Sequence, residues 1–177
     1  DWVLVTGHIG SGKSTLAMLA LGLYGYDDPG SVKIQGCEVK TMTRAQIARK
    51  ITYVQQSPKL LNRTLLENLK LGSVLDDRDI RTAVERFKAT INTGQSEPFD
   101  WAWLDLDRMA GKGGDNLSGG QRAMVCLMRA MLNDTDIVIC DELTANMDPA
   151  TKRAVITMIR GVASNRLLLY ITHDENI

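Results

Sequence analysis

Apolar positions change period several times along the chain, and each change marks an element. Val3 to Thr6 is a β-branched run, and helical composition holds from Lys13 to about Leu23, so the glycine-rich segment between them joins a strand to a helix. "DDPG" at Asp27 to Gly30 predicts a turn. "SVKIQGCEV" alternates around Gly36 like a small strand pair, and "TRAQIARK" has short-helix character before a strand at Ile51 to Val54. From Ser57 to about Leu132 the strand signal fades. Helices are predicted from Thr64 to Leu69 and from Arg78 to Lys88, the second with Ile80, Val84 and Phe87 on one face.

A further helix should start just after Ser118, capped by Ser118 or Asn116. "DIVIC" at Asp136 to Cys140 and "LLLYIT" at Leu167 to Thr172 are continuous apolar runs of the kind buried in a parallel sheet. Between them Val155, Met158, Ile159 and Val162 mark a crossover helix opened by Pro149. Strand, helix, strand in this order predicts an α/β fold with a mainly parallel sheet and right-handed crossovers. Residues 1–56 and 133–177 read as its core, and 57–132 as a helical insert. The chain begins at Asp1 inside a strand and stops at Ile177 soon after another, which predicts a piece of a longer polypeptide.

Composition narrows the function. With 177 residues, 44% of them hydrophobic, the chain can bury a core of its own. Equal numbers of basic and acidic residues, 21 each, give no net charge, so no nucleic-acid partner is expected and any anion recognition must be local. Cys37, Cys126 and Cys140 lack metal-ligand spacing and read as free buried thiols. The apolar run Leu16 to Tyr26 is too short to span a membrane.

The local anion site is "GHIGSGKST". Gly7, Gly12, Lys13 and Ser14 satisfy G-x-x-x-x-G-K-[ST] between a strand and a helix. Glycines there let successive amides face phosphate oxygens, and the helix adds its positive end. Lys13 is expected to reach the β- and γ-phosphates of ATP, and Ser14 to offer its hydroxyl to Mg²⁺. A plain turn would need neither this residue order nor a cation at a helix N-terminus, where the dipole disfavours one. In that context the acids that end "IVICDE" gain roles, Asp141 on Mg²⁺ and Glu142 as acceptor of a proton from attacking water. His173, after the last strand, should share their sheet edge, where open α/β sheets bind ligands. "LSGGQR" at Leu117 to Arg122 opens a helix without a lysine, and its Ser118 hydroxyl with the Gly119 and Gly120 amides could grip a γ-phosphate.

Together these segments resemble the ATPase domains of ABC proteins, and the order agrees along nearly the whole chain. "GHIGSGKST" looks like their Walker A, "YVQQSP" their Q-loop, "LSGGQ" their signature, "IVICDE" their Walker B, Asn146 to Asp148 part of their D-loop, and His173 their switch histidine. The resemblance implies a P-loop fold whose helical subdomain carries the signature. It implies ATP contacts from Gly7, His8, Ile9, Gly10, Ser11, Gly12, Lys13, Ser14, Thr15, Ser118, Gly119, Gly120 and Gln121. It gives Gln56 a catalytic and a metal-contacting place beside Ser14, Asp141, Glu142 and His173. In the family two such domains pair head to tail, so that both glycine stretches serve one nucleotide. "SPKLLNRTLLENL" and "GKGGDN" look most like the exporter branch, which implies a membrane-associated transporter with its ATPase domain on the cytoplasmic side. The alternative is a soluble ATPase of the same class acting on ribosomes or DNA. Met109 and Lys112 stand where exporters carry an acid, the D-loop reads "ANMD", and the family's adenine-stacking aromatic lies ahead of Asp1.

Overall fold

The computed structural model describes residues 1–8, 10–27, 29–93, 97–145 and 147–173. Its centre is a sheet of parallel strands: β1 (Trp2–Val5), β4 (Ile51–Val54), β5 (Ile137–Asp141) and β6 (Leu167–Ile171), in the order β1-β6-β5-β4. The register aligns the strand ends. Val5 lies opposite Ile171, Ile171 opposite Asp141, and Val54 opposite Cys140. The segments that follow these strands therefore leave from a single edge.

Alternation across the pleat explains why β5 and β6 are apolar throughout. Val138, Cys140, Leu168 and Tyr170 are buried in one core with the helices α3 (Leu65–Lys70), α5 (Gly119–Leu132) and α6 (Pro149–Val162). Ile139 and Ile171 enter a second core on the other face, with Ala17 of helix α1 (Lys13–Ala20) and Ile47 of α2 (Arg44–Lys50). The predicted strand pair is the hairpin β2 (Lys33–Ile34) and β3 (Cys37–Glu38). Its turn residues Gln35 and Gly36 both have positive φ, 50° and 83°, as a tight hairpin turn demands.

Helix starts follow sequence signals. Thr43 with Gln46, Thr64 with Glu67, and Ser118 with Gln121 form capping boxes, so Ser118 rather than Asn116 caps α5. Helix α4 (Asp77–Asn92) is longer than its apolar stripe suggests, because Asp76 caps it early. Ile80 and Val84 are buried in the first core, with Phe87 packed beside them.

One expectation fails: Cys37 is exposed, while Cys126 and Cys140 are buried. Ile34, directly opposite Cys37 in the hairpin, and Val39 are buried, but β3 is only two residues long and Cys37, next to the turn, is left uncovered. Burial pushes the thiols of Cys126 and Cys140 above the ordinary range.

Candidate nucleotide site

Past Val5 the chain turns through glycines before entering α1. Gly10 and Gly12 have φ of 85° and 90°, which residues with a Cβ rarely adopt. Gly12 occupies the N-cap of α1, where no side chain caps the helix and no acid sits in the first turn. Its leading amides and the positive end of its dipole are thus left for an anion. Lys13 is buried and folds back along the loop, its Nζ donating to the carbonyls of Gly7 at 2.7 Å and His8 at 2.9 Å. A phosphate arriving here would meet a cation already held inside the loop. The Ser11 amide closes a turn onto the His8 carbonyl at 3.2 Å.

Next along the edge are the strand-end acids. Asp141 is buried, and its Oδ2 accepts from the Tyr53 hydroxyl at 3.1 Å, while Oδ1 is buried with no partner among the described residues. The Tyr53 phenol is raised above its ordinary value, first by burial and then by the charge of Asp141. Glu142 has a positive φ of 47°, uncommon for a residue with a side chain, and its amide donates to Ile171 at 2.8 Å. That bend turns neighbouring carboxylates into different surroundings. Glu142 Oε2 accepts from Gln56 Nε2 at 2.9 Å, and Oε1 lies 3.4 Å from His173 Nδ1.

Gln56, Glu142 and His173, predicted from three separate segments, thus meet at one carboxylate. A cavity of about 350 Å³ is lined by Gly10, Gly12, Lys13, Ser14, Thr15, Gln56 and Glu142. The residues fit a nucleotide-borne Mg²⁺. A carboxylate oxygen buried without a partner is costly, and a cation or its water would relieve it. Among the described residues no three His, Cys, Asp or Glu side chains cluster as a metal site, so the ion would complete its shell with phosphate oxygens and water.

The second glycine stretch stands apart. Ser118 Oγ accepts from the Gln121 amide at 3.2 Å and the Ser118 amide donates to Gln121 Oε1 at 2.9 Å, leaving the hydroxyl proton free to be given elsewhere. Gln121 thus spends its side chain on the cap. A Cβ on Gly120 would lie 2.4 Å from Thr151 Cγ2, so only glycine lets the start of α5 seat against α6. Ser118, Gly119, Gly120, Thr151 and Gln56 help to line a different cavity of about 260 Å³, in which neither Lys13 nor Ser14 takes part. Ile9 and Asn146 lie outside the described residues.

A buried loop lysine, a strand-end acid lining its cavity and a serine-glycine helix start lining another match a known pattern, and the profile of the family described as "ABC transporter" aligns with residues 1–145. The chain belongs to the ABC transporter family. Among curated relatives, this ABC domain is 32% identical over 173 residues to the ATP-dependent lipid A-core flippase of Vibrio vulnificus, covering 97% of the domain and 28% of the relative. It is 34% identical over 174 residues to the beta-(1-->2)glucan export ATP-binding/permease protein NdvA of Rhodopseudomonas palustris, covering 97% and 27%. It is 32% identical over 180 residues to the alpha-factor-transporting ATPase of Saccharomyces cerevisiae, covering 98% and 14%. The domain therefore spans less than a third of the length of these relatives. Among the described residues no helix is long and apolar enough to cross a membrane. Domains of this family bind and hydrolyse ATP.

Proposed function

We propose that this ABC domain drives export or flipping of a substrate across a membrane, hydrolysing Mg²⁺-ATP between its own Walker A and the signature of a second copy or a close homologue. The observation that carries this reading is the separation of the glycine stretches: Lys13 and Ser14 line one cavity, Ser118 to Gly120 another. A signature that does not line the Lys13 cavity of its own chain is explained if it completes a partner's. Residues 1–56 and 133–177 act in this reading as the nucleotide-holding core, and 57–132 as the helical insert that presents the signature.

The geometry supports a role for each residue in this reading. Lys13, now on the Gly7 and His8 carbonyls, would turn to the β- and γ-phosphates of ATP, and Ser14, Asp141 and Gln56 would hold its Mg²⁺. Glu142, oriented by Gln56 and His173, accepts the proton of attacking water. Ser118, Gly119 and Gly120 donate to the γ-phosphate across the interface. The export and flippase names of the relatives favour a membrane-bound transporter, its ATPase domains on the cytoplasmic side, over an ATPase working on ribosomes or DNA.

Complementation tests the shared site in the full-length protein. Lys13→Ala and Ser118→Arg should each be inactive alone. A mixture recovers part of the ATPase activity, because one site of the mixed dimer joins an intact Walker A to an intact signature. A mixture as inactive as its components, with crosslinking demonstrating mixed dimers, would overturn the reading. Glu142→Gln should retain ATP and lose turnover by about 10²- to 10⁴-fold in a phosphate-release assay.

A further inference from the structure

The strand β4 carries, at the head of the "YVQQSP" segment, a side chain to which none of the roles above is assigned. Tyr53 lies opposite Ile139 in the parallel pairing of β4 with β5. Residues 139 and 141 share a face of the sheet, so a side chain reaching forward from Tyr53 arrives at Asp141, and the phenol closes a hydrogen bond of 3.1 Å onto Oδ2. Three positions further, the same segment sends Gln56 Nε2 to Glu142 at 2.9 Å. One strand and its exit thus hold both carboxylates that end the neighbouring strand.

A carboxylate held through one oxygen cannot rotate freely, and its other oxygen is thereby aimed. Asp141 Oδ1 is that other oxygen, buried and without a partner among the described residues. From this geometry we infer that Tyr53 is a positioning residue for the Mg²⁺ of bound ATP, fixing Asp141 through Oδ2 so that Oδ1 stands ready for the cation or its water. The inference rests on the proposed role of Asp141. Groups one step behind a metal ligand typically change metal affinity by about 10- to 100-fold when removed. Because this metal is shared with phosphate oxygens, the lower end applies.

The test uses Mn²⁺ as an EPR-visible probe, titrated into the full-length protein with a non-hydrolysable ATP analogue. Tyr53→Phe keeps the ring and removes the hydroxyl, and Asp141→Asn is the reference. The expected result is Mn²⁺ affinity weakened about tenfold in Tyr53→Phe, with nucleotide affinity in EDTA equal to that of the parent. A residue that only satisfied a buried acid would lower the melting temperature and leave Mn²⁺ affinity alone. Mn²⁺ affinity within twofold of the parent in Tyr53→Phe, while Asp141→Asn loses the metal, would remove the tyrosine's role and keep that of Asp141. Undiminished Mn²⁺ binding by Asp141→Asn would overturn both. If Tyr53→Phe failed to bind nucleotide in EDTA, Tyr53 would be a folding residue and the assignment would fall.

Discussion

Helices α1 and α5 both open on glycines, yet their first turns are finished in opposite ways. The start of α1 has a left-handed Gly12, no capping side chain, and a lysine turned back on the preceding loop. The start of α5 is closed within its own chain, with a Ser118–Gln121 capping box in front and Thr151 pressed against Gly120 behind. An uncapped helix end is costly unless something else completes it, so the start of α1 is suited to receive an anion. A capped end folds without help, so α5 is a rigid platform whose hydroxyl proton and leading amides remain on offer. In the proposed function the first is the receptor and the second the closing surface.

That contrast can be broken at several points. The largest effect is expected from Lys13→Ala, which removes charge-assisted contacts each worth about 1.5–3 kcal/mol. ATP affinity should fall about 100-fold or more by calorimetry, with little change in melting temperature. At the other helix the order reverses, and stability should respond before affinity does. Gly120→Ala forces a Cβ into the 2.4 Å gap to Thr151 Cγ2. Overpacking of about 1–3 kcal/mol, partly offset by better helix propensity, leaves a net loss of about 1 to 2 kcal/mol. Thr151→Ser in the same chain removes that methyl and should restore most of the loss in a double-mutant cycle.

Ser118→Ala should cost about 1 kcal/mol by loss of the cap, read as a melting temperature lower by about 2–4 °C. ATP binding by the single domain should stay unchanged, because α5 does not line the Lys13 cavity. A large drop in that affinity would instead put both glycine stretches in one site of one chain. The smallest effect is expected from Gln121→Ala, which loses only the return half of the box, about 0.5–1 kcal/mol.

The site was largely legible because its parts sit at strand ends, and parallel strands in register bring such ends together. Gln56, Glu142 and His173 come from distant segments, yet each follows an apolar run, and the pairing of those runs joins them. The hydrogen bond from Tyr53 to Asp141 was not legible. It depends on which β5 residue faces Tyr53, a register fixed by packing and invisible in the period of either strand. The positive φ of Glu142 was hidden for a similar reason, since its amide is drawn to Ile171 of a strand thirty residues later. The exposure of Cys37 was not legible because an apolar neighbourhood in sequence does not say how far the core extends over a hairpin whose strands are two residues long.

The thiol misread from sequence gives the domain a built-in attachment point for a fluorophore. Cys126 and Cys140 are buried and held as unreactive thiols, so a maleimide dye should react within this domain at Cys37 alone. Its hairpin is anchored by Gln35 Nε2 donating to Asp136 Oδ2 at 3.0 Å, an acid that Lys50 also grips at 3.0 Å. Asp136 precedes β5 at the end opposite Asp141, so the dye would sit away from the nucleotide edge. If the domains pair as proposed, energy transfer between dyes at this position would report their approach and separation.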